Sequence, residues 1–175
     1  MTIKGNQRIV CIDTNILVWG IRKEGPPDLK QYADYFFNQL DNDKDDKGRS
    51  NAQVMVPTVV LTEFITPVKS SEERDKLIAE LGKRFLIEPF DARDAALAAT
   101  LWHYGKTNRD RQNAPKDGQR AILRADTMII ATAKGHGATE FYSEDDDARA
   151  MAQKVGLTAK KLPRMGSDLF EQSGM

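Results

Sequence analysis

The segment Arg8 to Asn15, RIVCIDTN, limits the folds open to this chain more than any other stretch. Ile9, Val10, Cys11 and Ile12 are four consecutive apolar residues, followed at once by Asp13, Thr14 and Asn15. An unbroken apolar run with β-branched members suits a strand covered on both faces, as in the middle of a parallel sheet. A carboxylate belongs at the end of such a strand, not inside it. In open α/β sheets ligands bind beyond the carboxyl ends of the strands, near the point where strand order reverses, so Asp13 stands where chemistry is expected. The competing assignment is that Asp13 only caps the helix that follows, since Asp and Asn are ordinary cap residues.

A chain of 175 residues suits one domain with a substantial core. Its 26 Lys and Arg balance its 26 Asp and Glu, so net charge gives no sign of a broad nucleic-acid or membrane surface, and any such contact falls to a local patch. Cys11 is the only cysteine and reads as a small core residue. There is therefore no disulfide framework and no thiolate metal site, in keeping with a reducing compartment. No stretch approaches the roughly 18 consecutive apolar residues of a membrane span, and no apolar leader opens the sequence. The expectation is a cytoplasmic protein with no membrane partner.

Downstream, Thr14 and Asn15 are placed to cap a short helix to about Ile21. Leu29 to Leu40 carries Leu29, Tyr32, Ala33, Phe36, Phe37 and Leu40 at helical spacing, which predicts a packing helix. Asp41 to Lys47, DNDKDDK, has the alternating acids of a calcium loop, but Asp46 stands where the sharp turn needs Gly and Ala52 where a bidentate Glu is needed, so it reads as a solvated loop. Val54 to Val56 predicts a second strand closed by Pro57, and Thr58 a cap for a helix holding Glu63 among apolar neighbours. Ser70 and Ser71 begin a helix to about Lys83, Phe85 to Ile87 a third strand. Asp91 caps a helix to about Tyr104, with Asp91 and Asp94 read as helix-start residues. Residues 103–119 read as an exposed loop or insertion, because Gly105, Pro115 and Gly118 interrupt a polar run.

Gln119 to about Lys134 has the strongest helical pattern, and Asp126 lies within its apolar set, where an unpaired carboxylate is costly. Thr139 to Tyr142 predicts a fourth strand, Ser143 a cap for the helix beginning Glu144-Asp145-Asp146-Asp147, and Leu157 to Leu162 a last strand. Strand alternating with helix, without hairpin signals, indicates a doubly wound α/β protein with a parallel sheet. Between 103 and 124, Lys106, Arg109, Arg111, Lys116, Arg120 and Arg124 against Asp110 and Asp117 leave a net charge of +4, the best local candidate for phosphate contact. If Asp13, Glu63, Asp126 and Asp145 converge, four carboxylates repel one another and raise each other's pKa values unless divalent cations sit among them. All-oxygen ligation favours Mg²⁺ or Mn²⁺.

The combination IVCIDTN, PTVVLTEF, RADTMIIATA and YSEDDDA, spread over residues 9 to 148, resembles the PIN domain nucleases, including toxins of the VapC type. The resemblance implies an α/β/α sandwich with a five-stranded parallel sheet, one PIN-like domain over 1–162 with insertions near 41–53 and 103–119, and a C-terminal tail over 163–175. It implies Asp13, Glu63, Asp126 and Asp145 as metal-binding acids, Asn15 as a hydrogen-bonding support of Asp13, Ser143 in the place of the Thr two residues before the fourth acid, and Asp147 as an assisting acid. Arg120 and Arg124, one turn apart beside Asp126, are candidates to position substrate phosphates. The implied activity is Mg²⁺- or Mn²⁺-dependent hydrolysis of RNA phosphodiesters, with an antitoxin protein and a homodimer as expected partners. Two departures from the family pattern are the added length and Ala148 in the place of a Phe after the last motif. The alternatives are a PIN scaffold that binds RNA or protein without cutting, and a DNA-directed or structure-specific nuclease.

Overall fold

In a computed structural model, residues 7–110 and 117–165 are described, with side chains described outside 105–121. The strand at Arg8–Ile12 (β1) is the centre of the sheet, as its apolar run predicts: Val10, Cys11 and Ile12 are fully buried. It pairs in parallel with β2 (Ala52–Pro57) on one side, Val10 opposite Val54, and with β4 (Glu140–Tyr142) on the other, Ile12 opposite Tyr142. The edges are β3 (Leu86–Glu88) and β5 (Thr158–Lys160), giving a five-stranded, all-parallel sheet in the order β3-β2-β1-β4-β5. The chain winds outward from β1 to β3 and then returns to the far side of β1. Strand order therefore reverses between β1 and β4, and the space beyond their carboxyl ends is the expected place for a ligand.

Parallel strands need crossovers, and here they are helical. α1 (Thr14–Leu17) runs into a π-helical segment, Val18–Arg22, so the short helix expected to Ile21 changes its winding midway. Gly20 in that segment lets it approach α2 (Pro27–Asn42) so closely that a Cβ there would collide with the Phe37 ring. α2 buries Ala33, Phe36, Phe37 and Leu40, the stripe its spacing predicts. α3 (Thr58–Ile65) and α4 (Ser71–Arg84) join β2 to β3, and Ser70 caps α4 by accepting from the Glu73 amide at 3.3 Å. α5 (Ala92–Asp110), α6 (Asp117–Gly135) and α7 (Asp146–Lys154) complete the chain, with α6 packed against α3, α5 and α7. Among the described residues no helix is long and apolar enough to cross a membrane.

Several expectations are corrected. Most of the predicted loop over 103–119 is helical, because α5 continues to Asp110 and α6 begins at Asp117; residues 111–116 lie outside the described residues. The residue before α3 is Pro57, so Thr58 is its first residue and not its cap, and its hydroxyl instead accepts from the Phe90 amide at 3.3 Å. Ser143 is not the cap of α7; Asp145 is. Asp41 and Asn42 of the expected 41–47 loop end α2, and beyond them Asp45 Oδ1 accepts from the Lys47 and Arg49 amides, both at 2.9 Å, and Lys44 bridges Ser50. Within β4, Glu140 is almost wholly buried. Burial opposes its ionisation, but Lys160 at 3.0 Å and Arg8 at 2.9 Å outweigh it and hold the carboxyl below its ordinary range.

Candidate active site

The site begins where β1 stops. The Asp13 amide continues the parallel ladder by donating to the Tyr142 carbonyl at 3.0 Å, and the chain then turns into α1. The Asp13 side chain is held at both of its oxygens. Oδ1 caps α1 by accepting from the Thr14 amide at 2.6 Å, while Oδ2 accepts from the Ser143 hydroxyl at 2.8 Å across the β1–β4 reversal. Ser143 is fully buried and its Oγ accepts in turn from the Asp145 amide at 3.0 Å. One hydroxyl thus fixes both the first acid and the backbone that carries the fourth. Asp145 Oδ1 accepts from the Ala148 amide at 2.9 Å as the cap of α7, which leaves its second oxygen to face outward with an exposed side chain.

Glu63 lies on α3 with an exposed side chain and accepts a hydrogen bond from the Thr14 hydroxyl. Thr14 therefore touches two acids, its amide on Asp13 and its hydroxyl on Glu63. Asp126 is half-buried on α6, the helix that packs against both α3 and α7, and its Oδ2 is shut off from solvent. Burial pushes the Asp13 carboxyl above its ordinary value; the Ser143 and Thr14 hydrogen bonds offset part of this, and the charges of Glu63 and Asp145 add to it. Glu63 and Asp145 are thus both near enough to act electrostatically on Asp13. The four acids nevertheless stay apart: no three of them gather an oxygen each within 4.8 Å of one another.

The supporting residues fall differently from the expectation. The bonds that hold Asp13 come from Thr14 and Ser143, while Asn15 is exposed on α1. Asp147 is exposed in the first turn of α7. Arg124 is exposed on α6 with its guanidinium 5.4 Å from the Trp102 ring centre; the Arg120 side chain lies outside the described residues. Sequence reasoning missed Arg149, whose Nη1 donates to the Ser143 carbonyl at 2.8 Å while Nη2 pairs with Asp146. The i, i+3 spacing of Asp146 and Arg149 was the available signal. It also missed the grouping of Asp91, Asp94 and His136, whose ligand atoms all lie within 4.8 Å of one another.

The five-stranded, doubly wound parallel sheet, with Asp13 at the end of its central strand, defines an α/β protein. The chain belongs to the PIN domain family, whose model matches residues 10–154. Among solved structures it is similar to VapBC2 from Rickettsia felis bound to a promoter DNA fragment, at 16% identity over 89% of this chain and 99% of that one, with a TM-score of 0.54. It is also similar to VapBC-1 from nontypeable Haemophilus influenzae, at 15% identity over 88% and 98% with a TM-score of 0.56. At these identities the likeness shows the shared fold. Comparison with curated proteins gives no match.

Proposed function

We propose that the chain is a Mg²⁺- or Mn²⁺-dependent ribonuclease, with Asp13, Glu63, Asp126 and Asp145 as its metal-binding acids. The observation that carries this reading is Asp13: a carboxyl held at both oxygens, pushed up by burial, and raised further by the charges of Glu63 and Asp145. Such an arrangement favours a bound divalent cation, and a donor set made only of carboxylate oxygens fits a hard ion. When bound, the ion lowers the pKa of a water and neutralises charge developing on the phosphate oxygens. The residues do the rest. Ser143 and Thr14 keep Asp13 in one rotamer, so a ligand oxygen is presented without further ordering. Asp145 keeps one oxygen on the α7 amide and offers the other. Glu63, exposed and held by Thr14, is free of burial and suited to accept a proton from the attacking water. Water adds to phosphorus, the bond to the 3′ oxygen breaks, and the products carry 5′-phosphate and 3′-hydroxyl ends. Arg124, with Arg120 one turn before it, would place the flanking phosphates.

The VapBC likeness supports a second element of the reading, a small antitoxin protein that restrains the nuclease. The test is cleavage of labelled single-stranded RNA with Mg²⁺ or Mn²⁺, with and without EDTA, for the wild type beside Asp126→Asn and with a matched DNA strand. Cutting of RNA that EDTA abolishes and that falls at least about 100-fold in the variant is expected, comparable to losing one preorganised charge-stabilising group. Equal cutting by both proteins, or none by a folded wild type that binds RNA, overturns it. Preferential cutting of DNA transfers the same chemistry to the other substrate.

A further inference from the structure

The tightest grouping of potential metal ligands among the described residues lies away from the switch point. Asp91 and Asp94 stand at the start of α5, His136 follows the last turn of α6, and Glu88 ends β3. Asp126 and His136 are ten residues apart along and just beyond one helix, about 15 Å at 1.5 Å per residue, so this group is separate from the acids around Asp13.

Its hydrogen bonding is incomplete in a particular way. His136 Nδ1 lies 2.8 Å from Glu88 Oε2, which orients the ring. Nε2 then points at Asp94 Oδ2, 3.3 Å away; it is sealed from solvent and makes no hydrogen bond. Asp94 is 1% exposed, so the carboxylate it faces is almost fully buried as well. Nε2, an Asp94 oxygen and an Asp91 oxygen all lie within 4.8 Å of one another, a spacing that a single cation can span. The helix ends sharpen the demand. The Asp94 carboxylate is favourably placed at the start of α5 but also lies against Gly135, at the negative end of α6, where a Cβ would collide with Oδ1. The Asp91 amide donates to Asp94 Oδ2 at 3.0 Å, and Asp91 Oδ1 accepts from the Arg93 and Asp94 amides at 2.7 and 3.1 Å. These bonds fix both acids around the ring. Arg93 pairs with Asp91 from its exposed side at 3.0 Å.

We propose that His136 Nε2, Asp94 and Asp91 form a second cation site, specific for a borderline divalent transition metal such as Zn²⁺, with Glu88 as the outer carboxylate that orients the imidazole. Imidazole nitrogen with carboxylate oxygens suits such an ion better than Mg²⁺, and a carboxylate on the far ring nitrogen is the usual partner of a metal-bound histidine. The site joins β3, α5 and the end of α6, so an ion there ties the front of one helix to the back of the other.

The test uses full-length, tag-free, metal-stripped protein carrying Asp13→Asn and Asp126→Asn, which weakens any binding at the switch point. Zn²⁺ titrated calorimetrically into this protein is expected to fill one site and raise its melting temperature. Adding His136→Gln is expected to abolish the site, and Glu88→Gln to weaken it roughly 10–100-fold, the usual cost of losing an outer partner. Should His136→Gln fail to fold, Asp91→Asn serves in its place: Asn keeps the helix cap while removing a charged ligand, and at least about tenfold weaker binding is expected. Absence of a Zn²⁺ site in the parent, or a site that survives His136→Gln and Asp91→Asn unchanged, overturns the proposal. Neither result bears on the RNA cleavage assay.

Discussion

The middle of α6 and its C-terminal end each lie by a different group of acids, and the two groups differ in exposure. Asp126 lies toward the middle of the helix, which packs on α3 and α7, and of the acids proposed to act with it Glu63 and Asp145 are exposed. Beyond its last turn, His136 sits among Glu88, Asp91 and Asp94, and the central carboxylate is almost completely buried. At the first group the acids stand apart and water has access, as a site that exchanges substrate requires. The second is small, built around the buried Asp94 and knit to backbone amides, as suits a structural role. Openness, more than the number of carboxylates, separates a place for chemistry from a place for cohesion.

The sharpest way to break this contrast is Asp13→Asn. If Asp13 serves chemistry at a cost to folding, the substitution lowers RNA cleavage at least about 100-fold while making the metal-free protein more stable. The pH dependence follows from the sign of the shift. Burial, with Glu63 and Asp145, raises the folded carboxyl above its ordinary value of 3.8, so the folded chain holds this proton more tightly than the unfolded one. Stability from this residue therefore falls as pH rises from 3.8 through the folded value, and stays lower above it. Thermal melts of the two proteins should coincide near pH 3.5 and diverge toward neutrality, the variant melting higher. A variant that melts lower at neutral pH would show that Asp13 acts there chiefly as a helix cap.

Ser143→Ala probes the same region from its support. The buried hydroxyl holds Asp13 Oδ2 and receives the Asp145 amide, so its loss leaves a buried carboxylate oxygen and an amide short of a partner. A loss of about 1–3 kcal/mol by chemical denaturation is expected, together with weaker Mg²⁺ or Mn²⁺ binding. Unchanged metal affinity in the variant would show that the hydroxyl does not preorganise the acid.

Much of this architecture is legible in the residues. The run Ile9 to Ile12 identifies the central strand because burial on both faces leaves no room for a polar side chain, and the strand-helix alternation gives the parallel sheet. What is not legible is local competition. Residues 103–110 are polar and contain Gly105, yet α5 continues through them from a front half anchored by the buried Ala98 and Leu101. Helix starts shift by one or two residues: Asp145 caps α7 while the Ser143 hydroxyl is engaged by Asp13, and α3 begins after Pro57 with no side-chain cap, the Thr58 hydroxyl being taken by the Phe90 amide. Asp94 and His136 were invisible for a different reason. A lone histidine after a helix, 42 residues from its acid, carries no periodicity, and only the packing of α5 on α6 brings the two together.

The smallest effects test the closed end of α6 with a pair of glycines. Gly135 lies so close to Asp94 that an added Cβ must displace the carboxylate, whereas Gly82 in α4 has open space where its Cβ would be. Neither has a positive φ, so backbone strain does not enter the comparison. Gly135→Ala is expected to cost about 1–3 kcal/mol, the range for forcing extra volume into a packed site. Gly82→Ala is expected to gain about 0.5–1 kcal/mol, because alanine restricts the unfolded chain and fits a helix interior. Urea unfolding of both variants measures the two signs. If Gly135→Ala were neutral, the Asp94 carboxylate would have room to move away from the α6 terminus, and the closed group would be looser than the open one it is contrasted with.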